Sequence, residues 1–198
     1  MMKLIDPINL RTAIICSTLT ERPLIIEHMH EKAEVPGIFD YEVKFLKLIE
    51  RISNGAKVEI SKSGSKVKYF PGIITNNNEV DFEFDCGNMR CLTYFLEPLI
   101  VLAIFGKNGL RINLKGLTND DLDISVDNFM YSTISLVKKF SPDLDITLKI
   151  NKRGFKPLGG GDVFFSCSTT KYLKAVDLTD FGKYKKVRGT AFGAKVSV

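Results

Sequence analysis

Four aspartates crowd one short stretch of the chain: Asp120, Asp121, Asp123 and Asp127. Carboxylates at that spacing can hold magnesium and so support phosphodiester cleavage. The stretch lacks an Asp-x-Asp-x-Asp-Gly order, so it is no calcium loop. A cheaper account is that Asp123 or Ser125 caps the helix that follows, with the acids favouring its positive end. His28, His30, Cys86 and Cys91 are the conceivable zinc ligands, but their spacing is that of neither a finger nor a ribbon. Strand alternation would put His28 and His30 on one face as ordinary solvated or hydrogen-bonded side chains. Two histidines on one strand give no Ser/His/Asp or Cys/His constellation. No metal site and no cofactor is expected.

A second kind of chemistry is anion binding. Arg153 and Lys156 lie in a loop that ends in Gly159, Gly160 and Gly161. Three consecutive glycines lose much backbone entropy on folding, so they imply a close approach to another chain, a phosphate or a packed neighbour. Lys183, Lys185, Lys186 and Arg188 form a second basic group. Such cations neutralise phosphates, and exposed glycine amides donate to them. Phe155 and Tyr184 interleave with the charges, where they either stack on unpaired bases or pack into the core. Docking against a protein is the alternative use of the loop.

The charge distribution favours an anionic partner. Residues 149–198 carry eleven lysines and arginines against three acids, a net +8, whereas the first 148 residues carry a net −3. A neutral-to-acidic body with one basic quarter points to a single contact surface, with RNA the first choice of partner. A hydrophobic content of 44% over 198 residues is ample for a core, in one large domain or two small ones. Cys16 and Cys167 read as small core residues in a reducing compartment. The apolar run 92–105 is too short to span a bilayer and holds Glu97 and Pro98. With no charged leader ahead of an apolar core, a soluble intracellular protein with no membrane partner is expected.

The elements that must position these residues follow from periodicity. The spacing predicts a strand at Met2–Asp6, a helix at Leu10–Leu19, a strand at Leu24–His28, a helix at Tyr41–Ser53, and strands at Ala56–Ile60 and Lys66–Phe70. The same order then repeats. Val80, Phe82 and Phe84 alternate with acids, a helix covers Asn88–Phe105, and Leu110, Ile112 and Leu114 alternate with polar residues. A helix at Val126–Phe140 and two strands flanking the glycine loop complete the second unit. Val43, Leu46, Ile49 and Ile52 line one helix face, as do Met130, Ile134 and Val137. Equivalent positions lie 86 residues apart (Leu24 and Leu110) or 88 (Val58 and Ile146). The expected class is α/β (α+β), in tandem strand-helix-strand-helix-strand-strand units, each a four-stranded sheet with both helices on one face. The units divide the chain at 1–78 and 79–170. Residues 171–198 begin a third, with strands at Leu173–Leu178 and Lys186–Phe192 around Gly182. That incomplete sheet would need covering by other protein or RNA.

With these pieces placed, the chain resembles the RNA 3′-terminal phosphate cyclase family, and its eukaryotic ribosome-assembly branch more than the enzymes. The motifs are Pro36-Gly37, the run from Asp40 to Leu48, Asn54-Gly55, Tyr69-Phe-Pro-Gly-Ile73, Tyr94-Phe-Leu-Glu-Pro98, Lys115-Gly-Leu-Thr-Asn-Asp120, the glycine loop and Val187-Arg-Gly189. They extend over essentially the whole chain and correspond to somewhat more than the first half of a full-length member. The departures concern catalysis. Where the enzymes are similar in a glycine-rich, glutamate-containing segment, this chain reads Leu4-Ile-Asp-Pro-Ile-Asn-Leu-Arg11, and only Arg11 keeps its type. After Pro36-Gly37 it has Asp40-Tyr41-Glu42 in place of an Arg-Gln-His triplet, and carboxylates there repel phosphate. The enzymes' nucleophilic histidine lies in a part of the fold beyond Val198, so neither His28 nor His30 takes that role.

The resemblance implies a non-enzymatic ribosome-biogenesis factor in the nucleus and nucleolus. It would act in precursor ribosomal RNA processing as a scaffold of the small-subunit processome. Its implied partners are precursor small-subunit ribosomal RNA, a nucleolar GTPase and other processome proteins. The alternative is an RNA-processing enzyme, either a residual cyclase or a magnesium-dependent endoribonuclease using Asp120, Asp121 and Asp123.

Overall fold

The computed structural model describes residues 2–5, 9–75, 82–180, 182, 183, 185–187, 189, 191 and 192. Its first half runs β1 (Met2–Ile5), α1 (Leu10–Thr20), β2 (Leu24–Glu27), α2 (Asp40–Ile52), β3 (Ser53–Asn54), β4 (Lys57–Ile60), β5 (Val67–Phe70) and β6 (Ile73–Ile74). The second runs β7 (Phe82–Asp85), α3 (Thr93–Ile104), β8 (Leu110–Gly116), α4 (Val126–Asn128), a π-helical turn at Phe129–Thr133, α5 (Ile134–Phe140), β9 (Ile146–Lys152) and β10 (Gly161–Cys167). The class is α+β.

Two four-stranded sheets have the orders β1-β2-β5-β4 and β7-β8-β10-β9. In each, the first two strands are parallel and the other pairings antiparallel. Each sheet buries one face because its strands alternate. Leu24, Ile26, Val67 and Tyr69 point inward in the first sheet, and Leu110, Ile112, Leu114, Val163 and Phe165 do so in the second. These residues join the helices in one core cluster. Helix α3 is buried almost all round and packs on α1 as well as on β10. The core is therefore continuous across the two sheets.

Local chemistry sets the helix ends. Asn9 caps α1, its side chain accepting the Thr12 N–H at 3.3 Å. At the start of α2, the Glu42 carboxylate reaches back to the Phe39 N–H at 2.9 Å. The buried face of α2 is wider than the expected stripe, adding Phe45 and Leu48 to Leu46, Ile49 and Ile52. In the later helix, the Ile134 N–H donates to the Phe129 carbonyl five residues back. That turn rotates Phe129 fully into the core, where the even period had pointed to Met130.

Several expectations need correction. Helix α3 starts at Thr93 because Cys91 bridges to Leu117 and the Leu92 N–H donates to the Leu117 carbonyl, so residues 88–92 follow β8 instead. His28 and His30 are not on a strand. β2 ends at Glu27, and both histidines have positive φ, 60° and 48°, in the turn beyond. Cys16 is exposed, on the side of α1 opposite Ile14 and Ser17, while Cys167 is buried as expected. The β3–β6 pair is a small added sheet with no signal in the periodicity. Leu173–Leu178 is not a strand, nor do the described residues within Lys186–Phe192 form one. A strand there would need neighbours to take its hydrogen bonds, and the last edge strand available, β9, pairs only with β10. Asp6, Val80, Tyr184 and Arg188 lie outside the described residues.

Candidate nucleic-acid interface

Three of the four clustered acids, Asp120, Asp123 and Asp127, hold the backbone and two arginines. Asp120 accepts three backbone N–H groups, from Cys91 at 2.7 Å, Leu122 at 2.9 Å and Asp123 at 2.7 Å. Asp123 takes Arg90 bidentately, Nε to Oδ2 at 2.7 Å and Nη2 to Oδ1 at 2.6 Å. Asp127 takes Arg153 in the same manner. Ser125 is the helix cap, accepting the Asn128 N–H at 3.1 Å. Asp121 alone is an exposed acid without such a role. Among the described residues, no group of three potential ligands could hold a metal.

The histidines and cysteines stay apart. His28 Nδ1 lies 3.0 Å from Glu31. His30 Nε2 lies 2.9 Å from both Glu42 oxygens, and its ring stacks near Phe39 at 4.3 Å. Glu42, the carboxylate expected to repel a phosphate, is only 4% exposed and acts as a helix cap instead. Burial pushes the thiols of Cys86 and Cys91 up, keeping them protonated and poor ligands.

The glycine loop joins β9 to β10. Gly161 pairs with Gly116 on β8, and a Cβ at Gly161 would sit 2.5 Å from the Gly116 oxygen. A Cβ at Gly154 would overlap the Gly161 nitrogen and the same oxygen. The close approach expected of the glycines is therefore made, for these two, to a packed neighbouring strand. Gly159 and Gly160 have φ of 69° and 80°, and the Gly159 N–H donates to the Phe155 carbonyl at 2.9 Å. Asn88 Nδ2 anchors the loop by donating to the Pro157 carbonyl at 2.8 Å. Lys156 and Leu158 are exposed, Leu158 to 80%. Beside the loop lies a shallow cleft of about 420 Å³ lined by Lys44, Asp85, Lys115, Gly159 and Gly160. Its cations are matched by acids: Lys44 with Asp85, and Lys115 with Glu83 and Asp162.

Arg153 is the loop's other cation, and it is committed twice. Its Nη1 and Nη2 hold Asp127 at 2.6 and 2.9 Å, and its guanidinium carbon lies 3.5 Å from the centre of the Phe192 ring. Lys183, Lys185 and Lys186 are exposed. Phe192 under Arg153 brings that one residue of the C-terminal segment to the start of the glycine loop. Arg188 falls outside the described residues.

One cluster had no signal in the spacing. The Arg11 and Arg90 guanidiniums lie 4.3 and 4.6 Å from the Tyr94 ring centre, and Arg90 also lies 5.1 Å from Tyr41. Arg11 Nη1 donates to Glu97 at 2.7 Å and to the Tyr94 carbonyl at 3.0 Å. Burial raises the phenol pKa of both tyrosines. The cluster draws on α1, α2, α3 and the loops at Arg90 and Asp123, so it ties the two sheets together. Arg11, Tyr41 and Tyr94 stand in stretches compared with the family, Arg90 does not, and only the fold brings the four together.

The fold defines an α+β protein in which, among the described residues, no group of acids, histidines and cysteines could hold a metal. A family model described as RNA 3'-terminal phosphate cyclase matches residues 8–195, and the chain belongs to that family. It is 40% identical over 197 residues to the probable RNA 3'-terminal phosphate cyclase-like protein of Dictyostelium discoideum, covering 100% of this chain and 53% of that protein. The Homo sapiens RNA 3'-terminal phosphate cyclase-like protein is 41% identical over 189 residues, 95% of this chain and 50% of its own length. The rRNA processing protein rcl1 of Schizosaccharomyces pombe is 37% identical over 186 residues, 93% of this chain and 50% of its own length. The chain spans about half the length of the curated relatives it matches.

Proposed function

We propose that this protein is a non-catalytic ribosome-biogenesis factor. It acts in precursor ribosomal RNA processing and small-subunit assembly, as an RNA- and protein-binding scaffold of the small-subunit processome in the nucleolus. Its partners are precursor small-subunit ribosomal RNA, a nucleolar GTPase and other processome proteins. Residues 1–78 and 79–170 are its two complete units, and 171–198 the beginning of a third. The observation that carries this reading is the acid cluster: Asp120, Asp123 and Asp127 are spent on backbone amides and arginines, which leaves Asp121 as the one acid of the candidate nuclease set without such a partner among the described residues. The similarity to a relative named as an rRNA processing protein supports the RNA side.

The RNA contact is the edge built by Lys156, Gly159, Gly160, Lys183, Lys185, Lys186 and Arg188, with Arg153 and the buried Gly161 shaping it. Purified chain should bind a precursor ribosomal RNA fragment with strong salt dependence and should neither cleave it with magnesium nor adenylylate itself with ATP. Changing Lys183, Lys185 and Lys186 together to alanine should weaken binding and lower the salt slope by about three. A covalent nucleotide on the chain, or magnesium-dependent cleavage lost on Asp121→Ala, would replace this function with an enzymatic one.

A further inference from the structure

The two sheets share a strand order, yet their solvent faces differ. Across the first sheet the central outward row is Lys3, Ile25, Lys68 and Glu59. Its charges are paired: Glu59 with Lys57 at 2.8 Å and Lys68 at 3.6 Å, and Glu27 with Lys3 and Lys66 at 2.6 and 2.8 Å. The row at the same place on the second sheet is Glu83, Asn113, Phe164 and Lys149. Phe164 takes the position held by Lys68 on the other sheet. Its neighbours Val163 and Phe165 are buried, so the Phe164 ring is on the water side and partly exposed.

The surroundings of that ring are polar and cationic. The next row is Arg111, Ser166 and Thr147, and the Arg111 guanidinium lies 5.7 Å from the Phe164 ring centre. Lys149 is exposed and, among the described residues, makes no ion pair. Among the described residues, the acids of this face beside the ring are engaged: Glu83 and Asp162 hold Lys115, and Asp85 holds Lys44. A planar aromatic at the middle of a one-sided sheet, flanked by hydroxyls, an amide and a lysine, fits one ligand chemistry well. An unpaired base stacks on such a ring, and its phosphate meets the cation beside it. A protein partner would be served better by a wider apolar patch, and on this face Phe164 is the only ring among the described residues.

We propose that the outer face of the second sheet, centred on Phe164, binds single-stranded RNA. A base stacks on Phe164, Asn113, Ser166 and Thr147 address base edges, and Lys149 neutralises phosphate. The site deepens the RNA-binding reading above and uses a surface distinct from the basic loop and tail.

The test is fluorescence anisotropy of the whole chain with a labelled single-stranded ten-nucleotide RNA and with its duplex. Phe164→Leu should weaken single-strand binding about tenfold, with duplex affinity and Tm unchanged. Phe164→Tyr should keep the affinity, because it keeps the ring. Lys149→Ala should lower the salt slope by about one, while Lys68→Ala on the first sheet should change nothing. A single strand containing 4-thiouridine should crosslink to the peptide bearing Phe164. If Phe164→Leu leaves single-strand affinity intact while the Lys183/Lys185/Lys186 change abolishes it, the sheet site is overturned and the basic-edge reading survives. Crosslinks confined to other peptides would likewise overturn it. Loss with Phe164→Leu but none with the lysine change would support the sheet site and overturn the basic edge.

Discussion

Arg153 holds Asp127 through two parallel hydrogen bonds of 2.6 and 2.9 Å, joining the glycine loop to the first turn of α4. Both side chains are less than a third exposed, so the pair is screened less than a surface bridge. Its consequence is that Arg153 works on the loop's shape before it meets any ligand. Arg153→Ala and Asp127→Ala should each destabilise the chain by about 1 kcal/mol, read as a shift in urea midpoint. The double variant should cost clearly less than the sum. Additive losses would mean that the pair contributes nothing to folding.

The glycines of the loop divide into two kinds, and substitution should separate them. Gly154 and Gly161 face the Gly116 carbonyl with no room for a Cβ, so alanine there must displace a strand. Gly154→Ala should cost about 3 kcal/mol or more, as overpacking does when backbone has to move. Gly160 has nothing within 4 Å of its Cβ position and pays only for its φ of 80°. Gly160→Ala should cost about 1–2 kcal/mol. Thermal denaturation of the two variants checks the order, and a reversal would mean that the loop packs differently.

This division shows what the sequence could and could not reveal. The strand-helix-strand-helix-strand-strand order was legible because Leu110, Ile112 and Leu114, or Leu24 and Ile26, alternate on one-sided sheets. The helix cap at Ser125 was legible from local rules. Nothing local could say that Gly161 would lie on Gly116 or that Asp123 would take Arg90, because those partners are 45 and 33 residues away in the chain. The histidine turn was misread for a related reason: Leu24–Glu27 looks extended through His28, and only the left-handed φ at His28 and His30 ends it. The tail was misread because alternation in Leu173–Leu178 signals a strand, whereas a strand also needs a neighbour.

Paired carboxylates set the response to acid. The hydrogen bond from Arg153 holds Asp127 below its ordinary 3.8, and that from Lys115 does the same for Asp162. Such groups bind protons more weakly folded than unfolded, so their contribution is fully present above about pH 4 and is lost as pH falls through the folded values. The urea midpoint should therefore be flat from neutrality down to about pH 5 and fall below pH 4. Asp127→Asn should make that acid limb shallower. An unchanged limb would mean that Asp127 titrates normally in the folded chain.

The C-terminal segment offers the last test. Beyond the Lys174 N–H, which donates to the Phe140 carbonyl at 2.8 Å, the described hydrogen bonds are local, Asp177 with Thr179 and Asp180 with Gly182. Val187 is 92% exposed, and the lysines around it have no sheet to protect them. A protease needs several residues of accessible extended backbone, and this segment supplies them where the sheets do not. Trypsin should therefore cut first at Lys183, Lys185 or Lys186, leaving a core fragment that ends at the lysine cut and melts at nearly the temperature of the whole chain. Saturating single-stranded RNA should slow those cuts if the basic edge is occupied. Initial cleavage at Arg22 or Lys107, inside the body, would instead show that the two sheets are the weaker part.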